Sequence, residues 1–307
     1  MATRPHEANA TARPRGFSAL GARVEAAALA PGLYVVATPI GNLGDVSLRA
    51  LATLAAADAI LAEDTRVTRR LLDRYDIAAP LIAYHEHNAA EVRPRVLARL
   101  AAGEALALVS DAGTPLVSDP GYKLVVAAAA AGVAVVPLPG PCAAIAALTT
   151  AALPTDRFFF EGFLPAKTAA RRERIAALAT IPATLVFYEA PGRLAETLAD
   201  LAAGLGPRPA AVARELTKLH EETRRATLTD LAADYAAAEA PPKGEIVVVV
   251  GPPAPAARPA AETIDAMILD ALAALSVKDA AAAVAAEAGL PRREVYARAL
   301  RLAGTRR

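Results

Sequence analysis

The sequence predicts an α/β protein with two α/β domains followed by a small C-terminal helical module. Short apolar runs alternate with longer helical segments five times between residues 33 and 152, which is typical of a parallel, doubly wound sheet. A second series of strand-helix units begins at Asp156, and a Pro- and Ala-rich stretch then precedes three further helical segments. At 307 residues the chain is also longer than one core usually organises.

The first predicted domain, residues 32–153, contains five strands that are each followed by a helix. The strands are Leu33–Thr38, Ala59–Ala62, Leu81–Tyr84, Leu106–Val109 and Val133–Pro137. The helices are Val46–Ala56, which Asp45 is expected to cap, Val67–Tyr75, Ala89–Ala102, a segment from Tyr122, and Ala143–Ala152. In every unit the unusual polar and glycine residues follow the strand. We therefore expect one ligand cleft along the carboxyl edge of the sheet.

The second predicted domain spans residues 154–251 and is followed by a linker, residues 252–262, and a basic helical module, residues 263–307. The strands of the domain are Phe158–Phe160, Thr184–Tyr188, Ala211–Ala213 and Glu245–Val250, and its helices are Arg171–Ala179 and Leu194–Ala203. The helices of the module are Ile264–Leu275, Asp279–Ala288 and Arg292–Ala303. Ser276 is expected to cap the second of these helices and Gly289 to end it.

Residues 1–31 are predicted to form a disordered N-terminal extension, because they carry several arginines and lack the apolar core of a signal peptide. A transit peptide is the alternative. No apolar run approaches the ~18 residues of a membrane span, so no membrane partner is expected. The single cysteine, Cys142, excludes an internal disulfide and a Cys-based zinc site, and this fits a cytoplasmic protein.

Charge is unevenly distributed along the chain. The formal net charge is only +1, which by itself does not indicate a nucleic-acid-binding protein. From Ser276 to Arg307, however, there are seven basic and three acidic residues. A basic helical module on a near-neutral body suggests an arm that binds a polyanion, and an ordinary solvated helix face is the alternative.

The segment Ser110–Gly121 is a polar, glycine-containing elbow between a buried strand and a helix, and this position predicts a binding loop. Residues 38–42, 111–115 and 140–143 form similar loops of small residues, which would offer backbone groups to a compact ligand. The sequence contains neither a G-x-G-x-x-G fingerprint after a strand nor a phosphate-binding P-loop. A dinucleotide or ATP is therefore disfavoured as the ligand.

Six motifs, in order along the chain, carry a family resemblance. They are Thr38–Asp45 (TPIGNLGD), Ala62–Arg66 (AEDTR), Ser110–Gly121 (SDAGTPLVSDPG), Pro137–Cys142 (PLPGPC), Glu161–Pro165 (EGFLP) and Arg214–Lys218 (RELTK). Together they resemble the ribosomal RNA small-subunit methyltransferase I group of the tetrapyrrole-methylase superfamily. The resemblance covers about Leu33 to Val250, and the basic tail is similar to the C-terminal module of that group.

The resemblance implies a homodimer of two α/β domains of the tetrapyrrole-methylase type, with S-adenosylmethionine bound between the domains. It also implies 2′-O-methylation of a cytidine ribose in the decoding region of 16S ribosomal RNA, in the small ribosomal subunit. Two alternatives stay open. One is a methylase of a corrin-like small molecule, which would not need the basic tail, and the other is a non-catalytic RNA-binding protein that senses S-adenosylmethionine.

Methyl transfer from a sulfonium to an alcohol requires a tight, dry pocket, and a base or polarising group helps a ribose hydroxyl to react. Donor contacts are expected from Thr38, Pro39, Ile40, Gly41, Asn42, Asp111, Ala112, Gly113, Thr114, Pro115, Pro141, Cys142 and Ala143. The first candidates for the base are Glu63, Asp64, Asp111 and Glu189, and the second candidates are His85, His87 and Lys218. RNA contacts are expected from His85, His87, Lys167, Arg171, Arg172, Arg214, Lys218, Arg292 and Arg293.

Several of these side chains have a structural alternative. Asp64 could cap the helix that begins at Thr65, while Asp111 and Asp119 could cap the elbow and the helix after it. His85 and His87 have metal-like spacing, but the sequence offers no third ligand, so no metal is expected and their alternative is a structural hydrogen bond.

The basic candidates and the aromatic side chains have alternatives too. Arg214 and Lys218 could form a surface ion pair with Glu215, and the cations near Lys167 could be a solvated helix start. The aromatic residues Tyr84, Tyr188 and Phe158–Phe160 are expected in the core.

Overall fold

The computed structural model describes residues 15–254 and 260–304. The chain divides into two compact units, one ending at Pro253 and the other beginning at Ala254. The N-terminal unit contains two five-stranded sheets and a small hairpin, and the C-terminal unit contains helices only. No helix among the described residues is long and apolar enough to span a membrane.

The hairpin corrects the prediction that residues 1–31 are disordered. Strands β1 (Gly16–Ala19) and β2 (Ala22–Glu25) pair antiparallel around Leu20 and Gly21. Both turn residues have positive φ, +52° and +79°, as a tight two-residue hairpin turn requires. The side chain of Phe17 is buried in the core of the first sheet, and this burial stabilises a segment whose composition looks disordered. Residues 1–14 lie outside the described residues.

The first sheet is parallel and doubly wound, as predicted. Its strands are β3 (Gly32–Val36), β4 (Ala59–Ala62), β5 (Leu81–Ala83), β6 (Ala105–Val109) and β7 (Val135–Leu138), in the order β5-β4-β6-β3-β7. The helices that follow them are α1 (Leu48–Ala56), α2 (Thr65–Arg74), α3 (Ala89–Ala101), α4 (Tyr122–Ala130) and α5 (Ala143–Ala151). Helices α1 and α2 cover one face of the sheet, and α3 and α4 cover the other.

The predicted cap of the first helix is wrong. Residues Leu43–Asp45 form a short 3-10 turn that the side chain of Asn42 caps. Helix α1 begins later, because the hydroxyl of Ser47 accepts a hydrogen bond from the backbone N–H of Ala50 and so supplies the cap.

The second sheet is mixed. Its strands are β8 (Phe158–Phe163), β9 (Thr184–Glu189), β10 (Pro209–Arg214), β11 (Glu222–Thr227) and β12 (Ile246–Val250), in the order β11-β10-β12-β9-β8. Only β8 and β9 pair parallel. Helices α6 (Thr168–Leu178), α7 (Leu194–Leu205) and α8 (Leu228–Ala236) cover one face, while α5 of the first domain covers the other. Through α5 and Ile40 the first domain packs on the second sheet.

A buried ion pair joins α6 to α7 and corrects one predicted RNA contact. Arg171 is only 2% exposed, and its Nε lies 2.6 Å from Oδ2 of Asp200, which is 5% exposed. Arg172 donates to the other oxygen of the same carboxylate at 2.7 Å. Because Arg171 is enclosed and paired, its guanidinium holds the two helices together and is not available to RNA.

The C-terminal unit is a bundle of three helices, α9 (Ala261–Ala271), α10 (Val277–Ala288) and α11 (Arg292–Gly304). These helices bury a small apolar core of their own. The predicted caps of α10 are confirmed. The hydroxyl of Ser276 accepts from the N–H of Asp279, and Gly289 ends the helix at φ +63°.

We expect Ser276→Ala to lower the free energy of unfolding of the C-terminal unit by about 1 kcal/mol, because the backbone N–H of Asp279 loses its partner. Hydrogen exchange of the first-turn amides of α10 measures this change. Ser276→Asp retains an acceptor at the cap and serves as the control. Equal protection in the Ala and Asp variants would contradict the role of the cap.

Candidate functional site

A cavity of about 340 Å³ lies between the two sheets, at the carboxyl edge of the first sheet. From the first domain it is lined by Ile40, Ala112, Gly113, Thr114, Val117, Ser118, Asp119, Cys142 and Ala143. From the second domain it is lined by Phe163, Tyr188, Glu189, Ala190, Pro191, Leu216, Gly244, Glu245, Ile246 and Val247. The loops after β3, β6 and β7 therefore share one hollow, as the sequence predicts, and the volume suits a small organic ligand.

Backbone hydrogen bonds fix two of these loops against each other. The N–H of Thr38 donates to the carbonyl of Gly113 at 2.8 Å, and the N–H of Gly113 donates back at 3.0 Å. Gly113 adopts φ +83°, which side-chain-bearing residues rarely do. The hydroxyl of Thr114 donates to the carbonyl of Pro141 at 3.0 Å and so links the loop after β7 to the loop after β6. Hydrogen bonds between the three loops therefore fix this wall of the cavity.

The predicted donor contacts fall into two groups. Six of them line the cavity: Ile40, Ala112, Gly113, Thr114, Cys142 and Ala143. The other seven lie outside its lining: Thr38, Pro39, Gly41, Asn42, Asp111, Pro115 and Pro141.

Two residues of the second group instead hold the first domain against the second. The backbone N–H of Asn42 donates to the hydroxyl of Thr217, and Gly41 packs so closely on Lys218 that a Cβ there would lie 2.5 Å from its Cγ.

Tyr188 is the main aromatic side chain of the cavity, and it also packs against the buried cluster between α5 and the second sheet, in line with its expected place in the core. Its ring packs edge-to-face against Phe160 and Phe163, with centroid distances of 5.0 and 5.7 Å. Its hydroxyl accepts a hydrogen bond from the N–H of Ala144, at the start of α5. Burial raises the pKa of Tyr188, and the neighbouring Cys142 raises it further, so the phenol stays neutral at physiological pH.

Asp119 is the acidic side chain of the predicted binding loop Ser110–Gly121 that lines the cavity. Its alternative role as a cap of the next helix is wrong, because the residue before α4 is Gly121. Burial raises the pKa of Asp119 to about 6; a hydrogen bond from Ser110 opposes this shift, and the charges of Glu63 and Asp111 add to it. A carboxylate with this pKa can take up a proton near neutral pH.

Three of the predicted bases lie beside the cavity and outside its lining. Asp64 caps α2 by accepting from the N–H of Arg66, and it also pairs with the Arg66 side chain at 2.6 Å. These hydrogen bonds lower the pKa of Asp64 to about 2. Asp111 accepts from the N–H of Asp64 at 2.8 Å. Glu63 is half-buried, and its pKa is raised by burial and then by Asp111.

Glu189, the fourth predicted base, lies at the cavity wall but is fully engaged there. Its side chain is buried, and it accepts from the hydroxyl of Thr197 at 2.6 Å and from the N–H of Ala190 at 2.8 Å. Arg193 lies 3.5 Å away. Both carboxylate oxygens of Glu189 accept hydrogen bonds, and the bond from Ala190 holds the loop after β9 in place. Neither oxygen is left free to act as a base.

Most of the predicted RNA-binding cations of the second domain have acidic partners. Arg214 pairs with Glu222, and Lys218 lies 2.8 Å from Glu215 and 3.2 Å from Glu245. The surface ion-pair alternative therefore describes both residues, although the partner of Arg214 is Glu222 and not Glu215. Lys167 is exposed at the start of α6, and Arg292 and Arg293 are exposed at the start of α11.

The histidines follow β5, at the same edge of the first sheet. Their rings lie 6.0 Å apart, and the buried Nδ1 of His85 has no hydrogen-bond partner, while His87 is exposed. Within the described ranges no group of three or more possible ligands is arranged to hold a metal ion. The pair lies at the same sheet edge as the cavity.

The sequence identifies the second-domain side of the cavity only in part: Glu189 is a candidate base, and the motifs Glu161–Pro165 and Arg214–Lys218 contain Phe163 and Leu216. Phe163, at the end of β8, and Leu216, in the loop after β10, are ordinary apolar residues, and Val247 belongs to an all-apolar strand. Their place in the site arises because α5 packs on the second sheet. No sequence motif reports that contact.

Comparison with known proteins identifies the family. The model of the tetrapyrrole (corrin/porphyrin) methylases matches residues 32–232, and the model of the RsmI C-terminal HTH domain matches residues 257–303. The second match agrees with the basic helical module that the sequence predicts.

Curated relatives cover nearly the whole chain. Ribosomal RNA small subunit methyltransferase I of Mesorhizobium japonicum is 53% identical, covering 92% of this chain and 96% of its own length. The protein of the same name from Pseudomonas aeruginosa is 49% identical, covering 89% and 98%. Among solved structures, uroporphyrin-III-C-methyltransferase from Thermus thermophilus has a TM-score of 0.52 at 22% identity, covering 72% of this chain and 94% of that one. That likeness concerns the fold alone.

Proposed function

Because the chain belongs to the tetrapyrrole methylase family and, within it, to the ribosomal RNA small subunit methyltransferase I group, we propose that it methylates 16S ribosomal RNA. The donor is S-adenosylmethionine, and the acceptor is the 2′-hydroxyl of a cytidine ribose in the decoding region. The observation that carries this proposal is identity of about half the residues to curated relatives over nearly their full length.

The lining of the cavity fits this donor. Ile40, Tyr188 and Leu216 offer apolar surface to an adenine ring, while Ala112 and Gly113 leave room for close approach of the backbone. The acidic side chains at the edge of the first sheet attract a cation, and the sulfonium is cationic. When bound, the donor supplies an activated methyl group that is transferred in line to a nucleophile.

Within this proposal, Asp119 holds the proton that leaves the ribose. Its carboxylate lies in the cavity wall, and its raised pKa allows it to accept a proton near neutral pH. Accepting the proton as the oxygen attacks makes the poor alcohol nucleophile effective. Tyr188 and Phe163 exclude water from the same space, and the buried Glu189 keeps the loop after β9 in position.

Exposed cations on each of the two units would bind the RNA. The C-terminal helical module presents Arg292 and Arg293, and α6 presents Lys167, all of them exposed and able to contact phosphates. We also propose that the protein acts as a homodimer in the cytoplasm and that the small ribosomal subunit is its natural substrate. His85 and His87 would contact the RNA near the acceptor.

The proposed reaction can be tested by mapping ribose methylation in small-subunit RNA from cells with and without the protein. We expect one cytidine of the decoding region to lose its 2′-O-methyl group when the protein is removed. Transfer of tritiated methyl groups to purified small subunits should restore it. An unchanged methylation map would overturn the proposed RNA methylation. RNA binding without methyl transfer would favour the non-catalytic protein that senses S-adenosylmethionine. Methyl transfer to a corrin-like molecule would favour the small-molecule methylase.

A further inference from the structure

Helix α2 carries a row of exposed arginines that the proposed mechanism does not use. Arg66, Arg69, Arg70 and Arg74 are all exposed, and they follow the i, i+3, i+4 and i+8 spacing of one helix face. We call these four side chains the α2 arginine face. The buried residues of the helix, Thr68, Leu71 and Leu72, lie on its other side.

Two of the four arginines of the α2 arginine face have no ion pair or aromatic partner within residues 15–254 and 260–304. Arg66 is paired with Asp64, and Arg74 lies over the ring of Tyr75 at 5.4 Å. In the part of the chain that the structure describes, neither Arg69 nor Arg70 has an ion pair, even though Asp73 follows Arg69 by one helical turn. Like charges four residues apart destabilise a helix by roughly 0.2–0.5 kcal/mol per pair. A bound polyanion would remove this cost.

The α2 arginine face begins at the catalytic edge of the sheet. Two residues separate the end of β4 from the start of helix α2. The N–H of its cap, Asp64, donates to Asp111, whose neighbour Ala112 lines the cavity. The rim in between is acidic, with Glu63 and Asp111 beside Asp119. An acidic rim repels phosphates, so an RNA strand that places one ribose in the cavity needs cations just outside this rim.

We propose that the α2 arginine face binds the phosphates of the RNA strand that flanks the target nucleotide. This inference rests on the proposed function and adds an RNA-binding surface to it. Two to three phosphates of an extended strand fit the length of three helical turns, and arginine forks suit phosphate oxygens. The contacts carry no base specificity, because they reach only the backbone.

The test compares two double variants of the full chain that each remove two positive charges. Arg69→Gln with Arg70→Gln alters the α2 arginine face. Arg95→Gln with Arg157→Gln is the matched control, since Arg95 is on α3, which covers the opposite face of the sheet from α2, and Arg157 precedes β8. Donor affinity by calorimetry, KM for small subunits, and the salt dependence of RNA binding are measured for both variants and for the unmodified protein.

We expect the α2 double variant to raise KM about fivefold with kcat unchanged, on the scale of two exposed ion pairs. The slope of log affinity against log salt should become shallower by about 1 to 2, while donor affinity stays the same. The control should match the unmodified protein. Equal KM and equal salt slope in the two double variants would overturn the inference. Weaker binding to assembled subunits with normal binding to free RNA would also overturn it, because that pattern would indicate that the α2 arginine face contacts a protein. If the unmodified protein transfers no methyl group, it is the proposed function that fails.

Discussion

Replacing Asp119 with Asn is expected to reduce kcat for methyl transfer by about 10²–10⁴-fold, the usual contribution of a positioned general base. The amide has nearly the same shape as the carboxylate but cannot take the proton from the ribose hydroxyl. Donor affinity should fall far less than kcat, because only the attraction of the Asp119 charge for the sulfonium is lost while apolar and backbone groups form most of the cavity wall. Single-turnover transfer to small subunits measures the rate, and calorimetry measures donor binding. Asp156→Asn, an exposed acid outside the cavity lining, is the control.

The same variant has a distinctive pH dependence. In the unmodified protein kcat should fall as the pH decreases through about 6, because Asp119 becomes protonated and can no longer act as a base. Asp119→Asn should lack this acidic limb. Stability changes in the opposite direction: the folded pKa is raised, so the contribution of this group to stability is present at low pH and is lost as the pH rises through about 6. A variant with normal kcat, or one that keeps the acidic limb, would exclude Asp119 as the base.

Gly113→Val is expected to weaken donor binding by about 30-fold or more. At φ +83° a β-branched residue is strained by roughly 1–2 kcal/mol, and its Cβ would lie 3.4 Å from Cγ2 of Ile40. The loop can relieve this strain by breaking its two hydrogen bonds to Thr38, and the cavity wall then moves. Crowding of a packed site adds a similar amount, and about 2 kcal/mol corresponds to a 30-fold change. Calorimetric titration of S-adenosylmethionine measures the effect.

Gly132→Val provides a matched control for Gly113→Val. Gly132 has φ +73°, a Cβ added there would meet no atom within 4 Å, and the residue lies outside the cavity lining. Both variants should lose stability to backbone strain, but only Gly113→Val should lose donor affinity. Equal donor affinity in the two variants would contradict the placement of the donor against this loop.

The fold of the first domain could be predicted because its strands and helices are local features. Strand Leu106–Val109 is continuously apolar, and in a parallel sheet with both faces covered that pattern is required. Strand β11 was missed because its sequence, ETRRAT, is polar and lies at the edge of the second sheet, where one side faces solvent. The N-terminal hairpin was missed because it depends on a single buried aromatic side chain, Phe17.

The site was predictable only where backbone geometry selects residue type. The small residues Ala112, Gly113 and Ala143 indicate that a ligand can approach the backbone closely, and all three line the cavity. The positions of the acidic side chains were harder to predict, because the path of the loop decides where each carboxylate lies. Asp111 lies two residues after the end of β6 yet accepts from Asp64 outside the cavity lining, whereas Asp119, eight residues later, lines the cavity.

The central claim is that one cavity between the two sheets holds the methyl donor and presents it to RNA. A crystal structure of the protein with S-adenosylmethionine tests this most directly. We predict density for the donor enclosed by Ile40, Gly113 and Ala143 from the first domain and by Tyr188 and Leu216 from the second, with its methyl group facing the space beside Asp119. A donor bound elsewhere on the chain, with this cavity filled by water alone, would contradict the account.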